Sequence, residues 1–581
     1  STTHTGSGNV TFGDIDADGS SASLSVVASD LSGELSADAS NTTVVATITG
    51  GSGDDTITGG TKADTLTGNG GADSITGNDG NDTISGGDGN DTILGGAGSD
   101  SILGGAGADS ITAGAGFDTI DAGAGNDTII FGTNVSVSDS VIGGDGTDTI
   151  TATIDDGTAN QKIGTLTGVE NATLNFDQTA GSFDASGSLT TITTTVNDAS
   201  DTLSITNLTS DQTVKITDGD DDYGNASLDY ANDATANVQI GDSATVGLGT
   251  LTFTDAQTVN ITSIGGSDTT LTDVTLDAAD TDYLTIASGA NDSGLILEEF
   301  NADLVQTVSL TTTHTNSHLF LGTAGTDDFL KKASKLTTLT IAAGGDTSSD
   351  ISVADIGDTT AAALLETVTV TAADEAIVNL GPIDAEAATL TSITATASTS
   401  GSVINFDGAI TAASVTNITG SAVSGSTVDF EGDVDITTIG TISLSGAGTF
   451  LMDATTSVIT TLEQISAGGT SGTVTINMND LTGNTTYTFG TGTTTLTTGS
   501  GDSTVNLASS DGTDTIITND AAQGTTTIYN WEVGASADDF QIDISGLNGI
   551  TGVGTVTQLD SNAHDLATND NVIYYSVDSG S

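Results

Sequence analysis

The most regular feature of the chain is a large aliphatic residue at every ninth position between residues 50 and 130. Nine gapless nonapeptides fill this segment, and they read GGSGDDTIT, GGTKADTLT, GNGGADSIT, GNDGNDTIS, GGDGNDTIL, GGAGSDSIL, GGAGADSIT, AGAGFDTID and AGAGNDTII. A tenth, GGDGTDTIT, stands alone at residues 143–151 after the interruption FGTNVSVSDSVI. Six residues of each copy predict a glycine-rich turn, and three predict a short strand with the aliphatic residue inward. Two nonapeptides then make one 18-residue turn of a flattened coil.

A second, weaker pattern of apolar, any, any, apolar and Ser or Thr occupies the later half of the chain. It reads LTTLT from Leu336, LETVT from Leu365, LTSIT from Leu390, VTNIT from Val415, IGTIS from Ile439 and LEQIS from Leu462. The near-regular spacing of 29, 25, 25, 24 and 23 residues is typical of a stacked β-coil in which each turn contributes one equivalent strand. Stacked antiparallel sheets would also give Thr-rich alternation and are the alternative.

The hydrophobic pattern therefore predicts an all-β fold, a parallel coil of nonapeptides followed by an elongated β-solenoid or sandwich-like stack. The predicted segments are an N-terminal β segment (1–49), the nonapeptide coil (50–151), a β-rich stack (152–335), repeats of about 25 residues (336–499) and a C-terminal β unit (500–581). Helical spacing appears only in DDFLKKASKL, residues 327–336, and in TTAAALLET near Leu364.

The charge of the chain limits its partners. Acidic residues number 78 against six lysines and no arginine, so the net charge of −72 excludes nucleic acid and anionic membranes and favours cations. Only 35% of residues are hydrophobic, which approaches a disordered composition, although the alternation of Ile, Val and Leu with Thr favours strands. Cysteine is absent, and no apolar stretch is long enough to predict a transmembrane segment.

Aspartate stands at position six of all ten nonapeptides, and this regularity predicts metal sites. Aspartates 18 residues apart lie above one another at the strand spacing of about 4.8 Å, where bare carboxylates repel and calcium can bridge them. We expect up to seven sites along two edges of the coil. The predicted ligands are Asp55, Asp73, Asp91, Asp109 and Asp127 on one edge, Asp64, Asp82, Asp100 and Asp118 on the other, and Asp148 in the tenth copy.

The aliphatic column cannot stabilise this coil alone. Burying one Ile or Leu contributes about 2 kcal/mol, whereas ordering nine residues costs on the order of 10 kcal/mol. We therefore expect residues 50–151 to be unfolded without calcium and folded with it.

The nonapeptide GGxGxDxUx, with U a large aliphatic residue, resembles the repeats of the RTX family over residues 50–151. The resemblance implies a calcium-binding β-roll, several bound calcium ions and type I export of a chain that folds outside the cell. Departures from the pattern are local: Lys62 replaces a turn glycine, and Ala113 and Ala122 replace the first glycine. The tail from Thr525 to Leu547 resembles units that precede a C-terminal secretion signal.

Two further acidic loops and one histidine pair are candidate metal sites. DIDADGS, with Asp14, Asp16 and Asp18 before a glycine, matches the first half of an EF-hand loop, but Ser25 stands where the bidentate Glu would be; a solvated turn is the alternative. DGDDDYGN, residues 218–225, is a second candidate calcium loop. His314 and His318 lie four residues apart in a predicted strand, where packed or surface histidines are the commoner role.

No catalytic motif accompanies the repeats. The chain has neither HExxH nor a convincing GxSxG elbow, so we expect no enzyme. A long Thr-, Ser- and Gly-rich β-chain with calcium repeats resembles bacterial surface-layer (S-layer) proteins, which implies calcium-dependent self-assembly into a two-dimensional lattice at the cell surface, with lipopolysaccharide or another glycan as a further partner. The alternatives are an adhesin or matrix protein that binds glycan or ice, and a hydrolase with an unrecognised site.

Overall fold

The computed structural model is built from β-strands alone within the residues that it describes. These are residues 1–17, 23–154, 161–176, 181–196, 202–218, 224–241, 246–265, 268–276, 281–289, 294–301, 305–322, 335–346, 349–354, 356–357, 364–430, 432, 434–453, 459–479, 481–507, 514–518, 526–529, 541–543 and 573–574. Contacts divide the chain into two compact units. Unit 1 is Ser1–Gly241 with Val246–Gln257, and unit 2 is Asp242–Thr245 with Thr258–Ser581.

The strands of unit 1 are numbered in chain order. They are β1 (Thr2–Gly6), β2 (Val10–Phe12), β3 (Ser23–Leu31), β4 (Leu35–Asp38), β5 (Val45–Thr49), β6 (Thr56–Thr58), β7 (Thr65–Gly70), β8 (Ser74–Asp79), β9 (Thr83–Asp88), β10 (Thr92–Ala97), β11 (Ser101–Ala106), β12 (Ser110–Ala115), β13 (Thr119–Ala124), β14 (Thr128–Gly132), β15 (Ser140–Asp145), β16 (Thr149–Ile154), β17 (Thr165–Thr167), β18 (Asn171–Phe176), β19 (Gly181–Asp184), β20 (Thr191–Val196), β21 (Thr202–Leu208), β22 (Thr213–Asp218), β23 (Gly224–Ile240) and β24 (Val246–Ser263), whose last six residues belong to unit 2.

The strands of unit 2 continue the numbering. They are β25 (Asp268–Leu276), β26 (Tyr283–Ser288), β27 (Gly294–Asn301), β28 (Thr307–Thr312), β29 (His318–Leu321), β30 (Thr338–Ala343), β31 (Asp350–Val353), β32 (Ile356–Gly357), β33 (Thr367–Ala372), β34 (Ile377–Leu380), β35 (Ile383–Ala397), β36 (Val403–Phe406), β37 (Ile410–Ala422), β38 (Thr427–Phe430), β39 (Val434–Gly446), β40 (Thr449–Asp453), β41 (Thr461–Thr470), β42 (Val474–Asn477), β43 (Thr485–Phe489), β44 (Thr494–Thr498), β45 (Ser503–Asn506), β46 (Thr515–Thr518), β47 (Thr526–Tyr529), β48 (Gln541–Asp543) and β49 (Ile573–Tyr574).

Unit 1 is a solenoid in which most strands pair in parallel with the strand two places along the chain, and β22 pairs with the long strand β23. The odd-numbered strands from β1 to β17 form one nine-stranded sheet. The even-numbered strands from β2 to β16 pair with one another along a second sheet. Ile84 pairs with Ile102, one 18-residue turn later, so the inward aliphatic residues stack in a column. Both are buried at 1–2% exposure. The parallel coil that the nonapeptide period predicts is confirmed.

The strands of this coil are longer than the three residues that the sequence predicts. Strand β10 runs through TILGGA, so the chain stays extended across the first three positions of the next nonapeptide and turns only over the remaining three. Gly96 and Gly114 pair across adjacent turns, and Gly96 has a φ of +116°. Two glycines can therefore continue a ladder that a β-carbon would interrupt.

The interruption between the ninth and tenth nonapeptides is itself part of the coil. Strand β15 begins in it at Ser140, runs into the tenth nonapeptide and pairs with β13, with Ser140 opposite Thr119. Three extra residues lengthen the turn, because Asp118 and Asp139 are hydrogen-bonded 21 residues apart instead of 18. The tenth nonapeptide does not stand alone, because Thr149 in β16 pairs with Thr128 in β14.

Unit 2 is also a parallel solenoid, which confirms the coil over the antiparallel alternative. Leu390 pairs with Val415, Val415 with Ile439 and Ile439 with Leu462, so the second sequence pattern marks equivalent positions of successive turns. Among the described strands, the pair β47 and β49 is the antiparallel exception.

The two predicted helices are absent or lie outside the described residues. Residues 327–334 are not described, and Lys335 and Leu336 form a turn and an irregular segment before β30. In the second candidate, residues 364–366 are irregular and Thr367 begins β33, while residues 359–363 are not described. Pairing with the neighbouring turn therefore outweighs the helical propensity at Thr367. No helix in the described ranges has the length and apolar character needed to cross a bilayer.

Candidate metal centre

The ten position-six aspartates and Asp139 form two columns joined by hydrogen bonds, one along each edge of the coil. The backbone N–H of each aspartate donates to Oδ1 of the aspartate one turn later, at 2.7–3.0 Å. The first column contains Asp55, Asp73, Asp91, Asp109, Asp127 and Asp148, and the second contains Asp64, Asp82, Asp100, Asp118 and Asp139. The stacked carboxylates are therefore not bare, because one oxygen of each already accepts a backbone hydrogen bond.

The second carboxylate oxygen has a different environment. All eleven aspartates are buried at 2% exposure or less, although a carboxylate is rarely found there without a partner. In seven of them Oδ2 has no hydrogen-bond partner, namely Asp73, Asp82, Asp91, Asp100, Asp109, Asp127 and Asp148. A buried, unpartnered carboxylate oxygen is costly unless a cation or a proton neutralises it.

Glycine at position one leaves room for this oxygen. A β-carbon built on Gly86 would overlap Oδ2 of Asp91 and lie 2.6 Å from the carbonyl oxygen of Gly104 on the next turn. The carboxylate oxygen and a backbone carbonyl oxygen therefore approach the same small space. Both are hard oxygen ligands of the kind that calcium combines.

Glycine at position four brings successive turns into close contact. Gly98 has a φ of +148°, and a β-carbon there would overlap the carbonyl oxygen of Gly80, one turn earlier. The same overlap would arise between Gly107 and Gly89. The carbonyl oxygens of the position-four glycines therefore stack from turn to turn along the coil.

Burial shifts the titration of these carboxyl groups. Desolvation raises the pKa of Asp73 to about 7, and the charges of Asp55 and Asp91 add to the increase. Burial likewise raises the pKa of Asp82, Asp109 and Asp118 to about 6. Backbone hydrogen bonds act in the opposite direction at each residue but do not outweigh burial.

The donor set fits calcium. Within the described ranges no three His, Cys, Asp or Glu side chains converge on one point, because the solenoid supplies one carboxylate per edge and turn. A metal held here must take its remaining ligands from backbone carbonyls or water. Calcium accepts six to eight such oxygens in irregular geometry, whereas magnesium requires a stricter octahedron and zinc prefers nitrogen and sulfur.

Three aspartates of the columns differ, because a backbone N–H satisfies their second oxygen. Gly51 donates to Oδ2 of Asp55 at 2.6 Å, and Gly60 donates to Oδ2 of Asp64 at 2.5 Å. Asp139 accepts the N–H of Ser136 at 2.8 Å. The Asp64 turn also carries Lys62, which is exposed at a turn-glycine position.

The nonapeptide pattern did not predict two residues that extend the columns, Asp139 and Glu170. Asp139 lies in the interruption, where VSVSDSVI keeps an aspartate two residues before an inward valine, Val141. Glu170 ends the first column, because its Oε2 accepts the N–H of Asp148 at 2.9 Å. The signal for Asp139 was the spacing of Asp and Val, and three inserted residues obscured it.

The other candidate residues do not form a metal cluster in the described residues. Asp14 accepts a hydrogen bond from Asn41 Nδ2 at 2.7 Å, Asp16 is exposed, and Asp18 lies outside the described residues, as does most of the loop 218–225. The predicted calcium loop at Asp14 stays a prediction. His318 Nδ1 bonds Asp350 Oδ1, and its ring stacks on Phe320 at a centroid distance of 5.8 Å. His318 is therefore a packed histidine, the commoner of the two roles considered for it.

Comparison with known proteins identifies the repeat. Four copies of the family model for the RTX calcium-binding nonapeptide repeat match residues 49–84, 67–102, 76–111 and 103–134. No curated protein and no solved structure matches the chain significantly. RTX nonapeptide repeats bind several calcium ions and are typical of secreted, extracellular proteins, so the predictions of RTX repeats and of calcium as the cofactor are confirmed.

Proposed function

We propose that this chain, whose residues 49–134 are RTX calcium-binding repeats, is a structural cell-surface protein that calcium folds and assembles into a surface layer. The observation that carries the proposal is the series of seven buried carboxylate oxygens without a hydrogen-bond partner. They leave the nonapeptide coil incomplete in the absence of a cation.

Calcium is assigned first to these seven aspartates, through Oδ2 and the neighbouring glycine carbonyl oxygens. Asp118 occupies the same position in the second column and belongs with them. At Asp55 and Asp64 a glycine N–H already satisfies Oδ2, so these two carboxylates act as ligands only if an ion displaces that hydrogen bond. Removal of the ions leaves stacked, dehydrated negative charges, which oppose folding.

The net charge makes assembly depend on calcium as well. At −72, two copies repel each other over most of their surface until divalent ions bind and neutralise part of the charge. The same dependence would keep the nonapeptide coil unfolded and the chain unassembled at low calcium inside a cell. Type I export, which the RTX resemblance implies, is consistent with such a chain.

An uncharged face of unit 2 supports self-assembly. Two columns of outward residues run across the parallel sheet that contains β26, β28, β30 and β33. The central column is Asn260, Thr285, Ser309, Thr340, Thr369, Thr394, Thr419, Ser443, Ser466, Thr488 and Asn506. Beside it lie Thr258, Tyr283, Thr307, Thr338, Thr367, Ser392, Asn417, Thr441, Gln464, Thr486 and Thr504.

These two columns, here called the hydroxyl face, contain no charged residue among 22 positions. Composition alone would place about three acidic residues among them, because 78 of 581 residues are acidic. Threonine and serine both donate and accept hydrogen bonds, so the face is complementary to a second copy of itself. Two copies can therefore meet at this face without repulsion between its own side chains.

An adhesin or matrix protein is the alternative function. Regularly spaced hydroxyl groups could also bind a neutral glycan, and the exposed ring of Tyr283 on the same face could stack on a sugar. A catalytic role is not part of the proposal. Lipopolysaccharide or another surface glycan remains a further proposed partner for anchoring.

Calcium titration of the purified chain tests the proposal. Circular dichroism should show β-structure forming on calcium addition, light scattering should show growing particles, and electron microscopy should show ordered two-dimensional arrays. Soluble monomers that bind a glycan would favour the adhesin. Unchanged β-structure at residues 50–151 after chelation would overturn the calcium dependence itself.

A further inference from the structure

Strands β42 to β46 repeat the backbone design of the RTX coil in a segment that the family model does not match. In this segment, here called the second roll, Thr485 pairs with Ser503 exactly one 18-residue turn later. Tyr487 and Val505, two residues on, are fully buried like the aliphatic column of the first coil. The second roll therefore has the same register of position six and position eight as the nonapeptides.

The turns of the second roll also share the hydrogen bonds and close contacts of the first. Asp502 N–H donates to Asn484 Oδ1 at 2.9 Å across 18 residues, and Ser99 N–H donates to Asn81 Oδ1 at 2.9 Å across the same interval. A β-carbon on Gly501 would overlap the carbonyl oxygen of Gly483. This matches the contact of the position-four glycines in the RTX repeats.

Hydroxyl groups replace carboxylates at position six of the second roll. Thr485, Thr494 and Ser503 are buried at 2–4% exposure, where the RTX coil has aspartate. Thr485 Oγ1 donates to the carbonyl oxygen of Leu462 at 2.9 Å, and Thr485 N–H bonds the carbonyl oxygen of Asp502 at 3.0 Å. At Thr485, neutral side-chain and backbone groups thus make the bonds that carboxylates make in the first coil.

The residues at position one give an independent indication that the second roll has no room for a calcium site of the RTX type. In eight of the ten RTX repeats a glycine stands there, and Oδ2 of the aspartate occupies the space of its β-carbon; Ala113 and Ala122, the smallest side chains with a β-carbon, are the exceptions. In the second roll the corresponding residues are Phe489 and Thr498, both buried at about 1% exposure. Their side chains fill the space that the carboxylate and its ion would require.

We infer that Thr485, Thr498 and Ser503 make the folding of the second roll independent of calcium. The inference rests on the proposed calcium dependence of the first coil, with which it is contrasted. Asp514 accepts the N–H of Thr494 at 3.0 Å, but it lies opposite a hydroxyl and has no stacked carboxylate below it. The chain then carries two copies of one architecture, one stabilised by metal and one by hydrogen bonds.

Hydrogen exchange of the full chain in chelator provides the first test. Amides of β43 and β45 should stay protected, whereas amides of β8 to β13 should exchange freely and become protected when calcium is added. Rapid exchange in β43 and β45 without calcium would overturn the inference. Protection of β8 to β13 in chelator would instead overturn the proposed calcium gating and leave the inference about the second roll standing.

A triple variant provides the second test. Thr485→Asp, Thr498→Gly and Ser503→Asp together recreate a stacked carboxylate pair, with space for Oδ2 at position 503. Equilibrium dialysis with calcium should find one additional bound ion, and protection of β43 and β45 should become calcium-dependent. The control variant, Thr486→Asp, Thr498→Gly and Thr504→Asp, puts the same charges on outward positions and should bind no additional ion. Equal calcium binding by both variants would contradict the assigned role of position six.

Discussion

The backbone N–H of Asp91 donates a 2.8 Å hydrogen bond to Oδ1 of Asp109, which lies one turn further along the coil. Oδ2 of Asp109 has no partner, although the residue is buried at 2% exposure. One carboxylate therefore links two turns through its first oxygen and leaves its second oxygen without a partner. In the proposed calcium site, structural connection and metal binding would be divided between the two oxygens of the same side chain.

Removal of one such carboxylate should separate the two roles. In Asp109→Asn the amide oxygen can still accept the N–H of Asp91, but the negative charge at the cation site is lost. We expect one calcium ion fewer and a loss of about 1–3 kcal/mol in the stability of the calcium-bound form. Calcium titration followed by circular dichroism measures both effects.

Asp88→Asn is the matched control for this variant. Asp88 is exposed in β9, so the substitution removes the same charge without touching a column. Calcium stoichiometry should stay at the wild-type value. An equal effect of the two substitutions would indicate that general charge, and not the column, governs calcium binding.

The pH dependence of the coil should have opposite signs with and without calcium. Burial raises the folded-state pKa of Asp73 to about 7 and those of Asp82, Asp109 and Asp118 to about 6, above the ordinary value of 3.8. Between these values the folded chain binds more protons than the unfolded chain, so its stability without calcium falls as pH rises from about 4 to 7.

Acid should therefore partly replace calcium as the neutralising species. In chelator, the β-signal of the coil should grow as the pH is lowered from about 7 towards 4. With calcium present, protons compete for the same carboxylates, so the apparent calcium affinity should fall over that range. A chelated coil that gains structure as pH rises would contradict the burial of these groups.

The close approach of successive turns can be tested at a glycine. In Gly98→Ala the new β-carbon would overlap the carbonyl oxygen of Gly80, and the φ of +148° is unfavourable for alanine. We expect a loss of about 1–3 kcal/mol in the calcium-bound form, measured by thermal or denaturant unfolding. Gly13→Ala is the control, because nothing lies within 4 Å of its β-carbon and its φ is not positive. It should leave stability unchanged within about 0.5 kcal/mol.

The sequence predicts the coil well because its register follows from a simple period. An interval of 18 residues places Ile84 opposite Ile102, and the looser pattern of unit 2 places Val415 opposite Ile439. In both units the inward residue is large and aliphatic, so a slip by one residue would expose it to solvent. Periodicity and burial thus determine the same register.

The details of the site could not be predicted in the same way. The donor to Oδ1 is a backbone N–H, whose direction depends on φ and ψ and leaves no mark in residue types. The sequence did not predict Asp139 as a column member because a three-residue insertion shifts it from the nine-residue period. In the structure it lies in the column, where it accepts the N–H of Asp118. The second roll was predicted only as part of the repeats of about 25 residues and of the C-terminal β unit, because the threonine and serine that replace aspartate there are also ordinary strand residues.

Assembly through the hydroxyl face can be tested by placing charge on it. Thr369 and Thr394 pair across adjacent turns at the centre of that face, so Thr369→Asp with Thr394→Asp introduces two carboxylates where two copies would meet. Folding should persist with calcium, because both side chains point outward. Sedimentation and electron microscopy at saturating calcium should show monomers where the wild type forms arrays.

The same substitutions on another sheet of unit 2 distinguish a specific contact from added repulsion. Thr427 and Thr449 also pair across adjacent turns and are half-buried, but they lie in β38 and β40, outside the hydroxyl face. Thr427→Asp with Thr449→Asp adds the same charge, so it should still assemble. Loss of assembly in both variants would attribute the effect to net charge, and arrays from both would place the contact elsewhere. Because only a contact through the hydroxyl face separates the two variants, their difference measures what that face contributes to the lattice.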